Sequence, residues 1–163
     1  MSVEIDLLKL SDCYDLRPDR ILVSHSGFVK AQTIPDPDGD LIISEAGRKS
    51  SGLDETPRSY RRHVINIDSM SGFHAHKKTK QVIFCAAGSF VLHLDDGENK
   101  QNILMNVEDI GIKLWPRLWH SMSDFKEHTV ILVHANTRFE QLGEDDYIRD
   151  YQNFLEYIRS NSE

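Results

Sequence analysis

Phe90, Leu92 and Leu94 fall on one side of an extended chain, Val91 and His93 on the other, and Asp95-Asp96-Gly97 follows as a turn of hairpin type. That alternation predicts a half-buried strand. Just before it, residues 81–86 are apolar at almost every position, which predicts a strand covered on both faces and closed by Gly88. Residues 103–107, 110–114 and 129–134 continue the series at intervals of roughly ten residues, and 64–67 predicts one more strand upstream. Many short strands separated by turn signals predict a β-sandwich or barrel.

The flanks read differently. Apolar stretches at 21–23 and 41–43, separated by Pro35-Asp36-Pro37-Asp38-Gly39-Asp40, predict short strands joined by loops, and 48–57 predicts a surface loop. Residues 1–37 read as a strand and loop extension of the same domain as 38–163. Near the C-terminus Tyr147, Ile148, Tyr151, Phe154, Leu155 and Ile158 recur at spacings of one, three and four, which predicts an amphipathic helix over 145–159. Asp145 and Asp146 would stand at its N-terminal end, where negative charge is favourable.

Composition narrows the function. A chain of 163 residues suits one domain. Its formal net charge of -7 would repel a phosphodiester backbone, so no nucleic-acid partner is expected. No apolar run approaches the roughly 20 residues of a membrane span, so no membrane partner is expected either. Met1-Ser2-Val3-Glu4-Ile5-Asp6 lacks the basic and apolar regions of a secretory leader, which sets the expectation of a cytoplasmic protein. Cys13 and Cys85, far apart in sequence, are expected to be reduced thiols.

The chemistry concentrates in Gly72-Phe73-His74-Ala75-His76-Lys77-Lys78-Thr79-Lys80-Gln81. Histidines at i and i+2 of an extended chain share a face, so both imidazoles reach one ligand. His120, in Trp115-Pro116-Arg117-Leu118-Trp119-His120, is a third candidate. Histidine moves protons near neutral pH and also ligates metals. Single histidines such as His25, His63, His93, His128 and His134 read as surface or hydrogen-bonded residues. Although the chain is acidic, Arg61, Arg62, Lys77, Lys78 and Lys80 flank the histidine pair and Arg117 lies near His120, a local inversion suited to an anion such as a diphosphate. Trp115, Trp119, Phe73 and Tyr60 could stack on a base or sugar, or simply be core.

A glycine before His74-Ala75-His76, Gly88 after the next strand, and Pro116 with His120 in the second half resemble the two motifs of the cupins, double-stranded β-helix barrels. Gly72-Phe73-His74-Ala75-His76-Lys77, Gln81, Gly88-Ser89, Asp95-Asp96-Gly97, Trp119-His120 and Asp146-Tyr147-Ile148-Arg149-Asp150-Tyr151 with Phe154 are closer still to the dTDP-4-keto-6-deoxyhexose 3,4-ketoisomerases, the FdtA/QdtA or WxcM-like cupins. The resemblance spans residues 38–158. It implies an all-β jelly-roll barrel with a C-terminal helix, and an isomerase that moves a carbonyl between C4 and C3 of a nucleotide-linked 4-keto-6-deoxysugar on the route to amino sugars of surface polysaccharides. A homodimer with no cofactor and no metal is implied as well. His74 and His76 are then the acid/base pair, and Arg62, Lys77, Gln81, Arg117, Trp119 and His120 the candidate substrate-binding residues. The chain departs from the family at Ser71, where arginine is usual, at Phe139, where tyrosine is usual, and in a shorter 64–72 segment without its customary tyrosine. A non-catalytic nucleotide-sugar-binding or assembly protein is an alternative reading. A metal-dependent cupin using His74, His76 and His120 is another, although Gln81 stands where metal-binding cupins carry a glutamate.

Overall fold

The computed structural model describes residues 7–162, so the N-terminal hexapeptide lies outside the described residues. Thirteen strands and one α-helix follow in order: β1 (Leu8–Lys9), β2 (Phe28–Lys30), β3 (Gln32–Ile34), β4 (Leu41–Ile43), β5 (Arg58–His63), β6 (Ser71–His76), β7 (Gln81–Ala87), β8 (Phe90–Asp95), β9 (Lys100–Met105), β10 (Ile110–Leu114), β11 (Trp119–Ser123), β12 (Val130–Ala135), β13 (Tyr147–Ile148) and α1 (Tyr151–Ser160). One sheet runs β1-β9-β8-β11-β6-β13 and the other β2-β10-β7-β12-β5, while β3 and β4 form a separate ribbon. Every pairing is antiparallel except β1 with β9. This is the cupin arrangement of two sheets wrapped into a barrel. Among the described residues no helix is long and apolar enough to cross a membrane.

The alternation at 90–94 is what the core uses. Phe90, Leu92 and Leu94 are fully or almost fully buried and pack with Ile103, Met105, Ile110, Ile112 and Ile131 between the sheets. Each such side chain contributes about 1.5–3 kcal/mol by leaving water. In β7 both faces are apolar for a reason that lies in the N-terminal third. Ile83 and Cys85 face the main core, whereas Val82 and Phe84 are covered from outside by Val29, Ala31 and Leu53. The 48–57 loop is therefore less superficial than its polarity suggests, with Ser51 and Leu53 both buried. Gly88 closes β7 at φ +72, and a Cβ there would lie 2.5 Å from the Thr129 hydroxyl and 2.8 Å from its Cα.

Three expected elements differ. The strand expected at 64–67 lies at 58–63 instead, where β5 pairs with β12 from Arg58↔Ala135 to His63↔Val130. Its alternate side chains face a polar cavity, so it carries no apolar run, and Ile65 in the following connection is 97% exposed. Residues 21–23 are not a strand. Val23 is buried, but the segment is held as coil, with the Leu22 N–H donating to the Gln101 side chain at 2.8 Å. The C-terminal helix starts at Tyr151, with Asp150 as its N-cap accepting from the Asn153 N–H at 2.9 Å. The residues before it form a 3-10 turn and then β13, whose Tyr147 and Ile148 pair with His76 and Ala75. That pairing takes Asp146 away from the helix and into the barrel.

Candidate active site

Strand pleating sorts the signature segment into two sets. On β6, His74 and His76 face the barrel interior, whereas Ala75 packs with Ile148 and Phe154 on the α1 side. On β11, His120 points inward opposite His74, and Trp119 points out onto Tyr151 and Phe154, with ring centroids 5.4 and 5.6 Å away. The two strands approach closely because Gly72 adopts φ +92, where a Cβ would lie 2.9 Å from the His120 carbonyl oxygen and 2.9 Å from the Ser121 Cα. Phe73 follows at φ +55, a conformation non-glycine residues seldom adopt, and such backbone is concentrated at functional sites.

Three imidazoles result in one cluster. Ring centroids lie 5.0 Å apart for His74 and His76, 4.6 Å for His74 and His120, and 6.2 Å for His76 and His120, with the Tyr147 ring 4.7 Å from His76. His76 Nδ1 donates to Asp146 Oδ2 at 2.8 Å. Its Nε2 is shielded from water and has no partner. The Asp146 carboxylate also accepts from the Thr79 hydroxyl at 2.7 Å and from the backbone N–H groups of Lys78 at 2.6 Å and Thr79 at 3.3 Å. Every donor here requires an acceptor, so the tautomer of His76 is fixed with its proton on Nδ1 and its lone pair on Nε2.

The electrostatics keep these rings neutral. Burial lowers the His74 pKa to about 4, a Gly72 backbone hydrogen bond opposing it and the charge of His76, Arg149 and Arg62 reinforcing it. Burial lowers His76 too, although its hydrogen bond to Asp146 pulls the other way. His120 is pushed well below the ordinary range by burial and by its two neighbours. Asp146 is held below the usual carboxylate range, because hydrogen bonds from Thr79, His76 and Lys78 outweigh the burial that would raise it. Near neutral pH the cluster is a set of neutral imidazoles, one of them oriented by a carboxylate. A base ready to accept a proton is the outcome.

A cavity of about 510 Å³ opens over His74 and His76, walled by Arg58, Tyr60 and Arg62 from β5 and by Tyr147 and Arg149 from the C-terminal segment. A narrower space of about 80 Å³ continues inward to His120. Of the residues expected from sequence, His74, His76, Gln81, Arg62 and His120 meet in these spaces. Lys77, Arg117 and Trp119 do not. Lys77 and Trp119 are each one position from an inward histidine, so the pleat turns them outward, with the Lys77 ammonium 5.5 Å from the Tyr157 ring. Arg117 leans on α1, its Nη2 donating to the Ile158 carbonyl at 3.5 Å. Sequence reasoning missed Asp146, Thr79, Arg58 and Ser71. The alternation Arg58-x-Tyr60-x-Arg62 carried a signal for the first wall, since it sets three polar side chains on one face of a strand. Nothing local could have tied Asp146 to a histidine 70 positions away. Phe139, in the usual tyrosine position, lies 79% exposed at the cavity rim.

Among the described residues no group of three or more His, Cys, Asp or Glu side chains is placed to hold a metal ion. His76 Nδ1 is held by Asp146 and His120 Nδ1 faces the Leu118 carbonyl at 3.3 Å, so a metal would have to bind through Nε2 atoms, and Gln81 supplies no carboxylate to balance its charge.

A barrel of this topology is a cupin, and a buried, carboxylate-oriented histidine beside a second one gives its cavity floor groups that can carry proton transfer. Residues 24–159 match the family described as FdtA: WxcM-like, C-terminal. The chain belongs to that family. It is 44% identical over 134 residues to the TDP-4-oxo-6-deoxy-alpha-D-glucose-3,4-oxoisomerase of Aneurinibacillus thermoaerophilus, a match covering 80% of this chain and 90% of that protein. Its structure is similar to a mutant of the 3,4-ketoisomerase QdtA from Thermoanaerobacterium thermosaccharolyticum in complex with TDP-4-keto-6-deoxyglucose, with TM-score 0.79, 27% identity, and coverage of 86% of this chain and 99% of that one. A 3,4-ketoisomerase from Helicobacter canadensis aligns with TM-score 0.75 and 30% identity over 82% of this chain and 97% of its own.

Proposed function

We propose that the protein is a 3,4-ketoisomerase of a dTDP-linked 4-keto-6-deoxysugar, working by histidine acid/base chemistry with His74 and His76 as the pair. The observation that carries this reading is the bare Nε2 of His76, fixed by Asp146 at the cavity floor. Moving a carbonyl from C4 to C3 requires removal of the C3 proton and delivery of one to C4. A neutral imidazole with its lone pair facing the sugar suits the first task, and a second imidazole 5.0 Å away can share the transfers. The relatives supply the substrate class by the names they carry, TDP-4-oxo-6-deoxyglucose and TDP-4-keto-6-deoxyglucose.

The test is turnover of dTDP-4-keto-6-deoxyglucose by the purified protein in deuterium oxide, followed by NMR. We expect a 3-keto product carrying solvent deuterium at C4, unaffected by chelators. A panel of dTDP- and UDP-linked 4-keto sugars that binds without isomerising or exchanging would overturn the isomerase and leave a binding protein.

A homodimer is part of the proposal. Among the described residues β5 has a strand partner on one side only, and Ile65, Ile67, Met70 and Phe73 are exposed just beyond it. An open edge beside apolar side chains favours cover by a second copy. Sedimentation at micromolar concentration should return a dimer, and a monomer alone would contradict it.

A further inference from the structure

Arg58 opens β5 on the wall facing the histidines, and the reaction as derived so far gives it no task. Its Nε and Nη2 atoms are both shut off from water, and neither has a hydrogen-bond partner. Its close neighbour is the Tyr60 ring, 5.5 Å from the guanidinium carbon. Leaving one buried polar group unpaired is costly, and more so when it is charged. Two such donors on one side chain therefore point to an acceptor that arrives with a ligand. Ser71 Oγ, on the same cavity, is unpartnered as well.

Position and shape say which acceptor. Arg58 is in register with Ala135, and Ala135 with Gln81, the first residue of the strand that follows the His76 turn. Arg58 thus stands at the His76 end of the wall. Arg62, in register with Ile131, stands farther along, and Arg149 is engaged with Glu144. The Nε–H and Nη2–H bonds of a guanidinium run side by side and suit two oxygens on neighbouring positions. A 3,4-ketoisomerisation creates that pair.

The His base takes the C3 proton, the C–H electron pair becomes the C3–C4 double bond, and the carbonyl π pair settles on O4. O3 and O4 then lie side by side on a planar unit, O4 carrying the negative charge and O3 its proton, and the charge passes to O3 when that proton moves across to O4. In the return half C4 and O4 gain protons, O3 loses its own, and a carbonyl forms at C3, so no electrons enter or leave the sugar. We propose that Arg58 is a catalytic residue that grips O3 and O4 through Nε–H and Nη2–H and stabilises the enediolate between the two proton transfers. This rests on the ketoisomerase reading.

The test compares wild type with Arg58→Met, Arg58→Lys and Arg58→Ala on dTDP-4-keto-6-deoxyglucose, and measures dTDP binding separately. Removal of an oxyanion donor costs on the order of 100- to 1,000-fold in kcat. We expect a loss of that size in Arg58→Met with dTDP affinity nearly unchanged, a partial loss in Arg58→Lys, and recovery of at least about tenfold when guanidinium is added to Arg58→Ala but not to wild type. A merely structural arginine would not give that rescue. Should the Met variant fail to fold, the Lys variant, which keeps the charge and loses the fork, decides. Wild-type kcat in Arg58→Met, or a parallel rise in KM and dTDP dissociation constant at constant kcat, overturns the proposal, the latter placing Arg58 on the diphosphate. If wild type itself neither isomerises nor exchanges deuterium, it is the ketoisomerase reading that fails.

Discussion

Replacing His76 with Asn is expected to cut turnover by about 100- to 10,000-fold while dTDP binding stays nearly intact. The amide fills most of the ring's volume, but no atom of it accepts a proton near neutral pH, so the loss falls on the chemical step. Deuterium exchange at the carbon next to the carbonyl should fall in parallel with kcat, because both depend on the same abstraction. His74→Asn should lose turnover on a similar scale if the two rings share the transfers. A kcat within about tenfold of wild type in the His76 variant would remove it from the mechanism.

Asp146→Asn isolates the tautomer. The carboxylate accepts from four donors, His76 Nδ1 and the Thr79 hydroxyl on one oxygen and the Lys78 and Thr79 N–H groups on the other. An amide has one oxygen to offer. The backbone N–H groups cannot reverse, so they keep that oxygen and turn the NH₂ toward His76. Nδ1 must then accept, and the ring proton moves to Nε2, the atom that has to be bare. We expect kcat to fall by about 100- to 10,000-fold with the fold retained, by the logic that applies to carboxylate-oriented histidines in general. Thermal unfolding and dTDP titration should resemble wild type. Unchanged kcat would show that Asp146 serves only to pin the 77–79 turn.

The strands best read from sequence were those whose alternate side chains enter the main core, such as 90–94 and 110–114. The period-two rule also placed His74 and His76 together. It failed at β5 because that strand faces a polar cavity on one side and solvent on the other, so no apolar signal marks it. The same pleat that brings the histidines inward turns Lys77 and Trp119 outward. Proximity in sequence to the histidine cluster therefore misled where alternation, applied to every neighbour, would have placed them outside the cavity. Asp146 was misread for a different reason. A carboxylate beside a helix start has a sufficient local explanation, and its actual partner is fixed by the pairing of β13 with β6, which is not legible in the sequence before the fold is known.

That pairing also orders events during synthesis. The three histidines leave the ribosome before the carboxylate that orients one of them, and β6 cannot receive β13 until residues 147 and 148 have followed. A nascent chain that has completed β12 holds every strand of the two sheets except the last, yet His76 in it has no fixed tautomer. On the proposed mechanism, proton-transfer competence is thus acquired only after Asp146 and β13 have been made and have docked on β6.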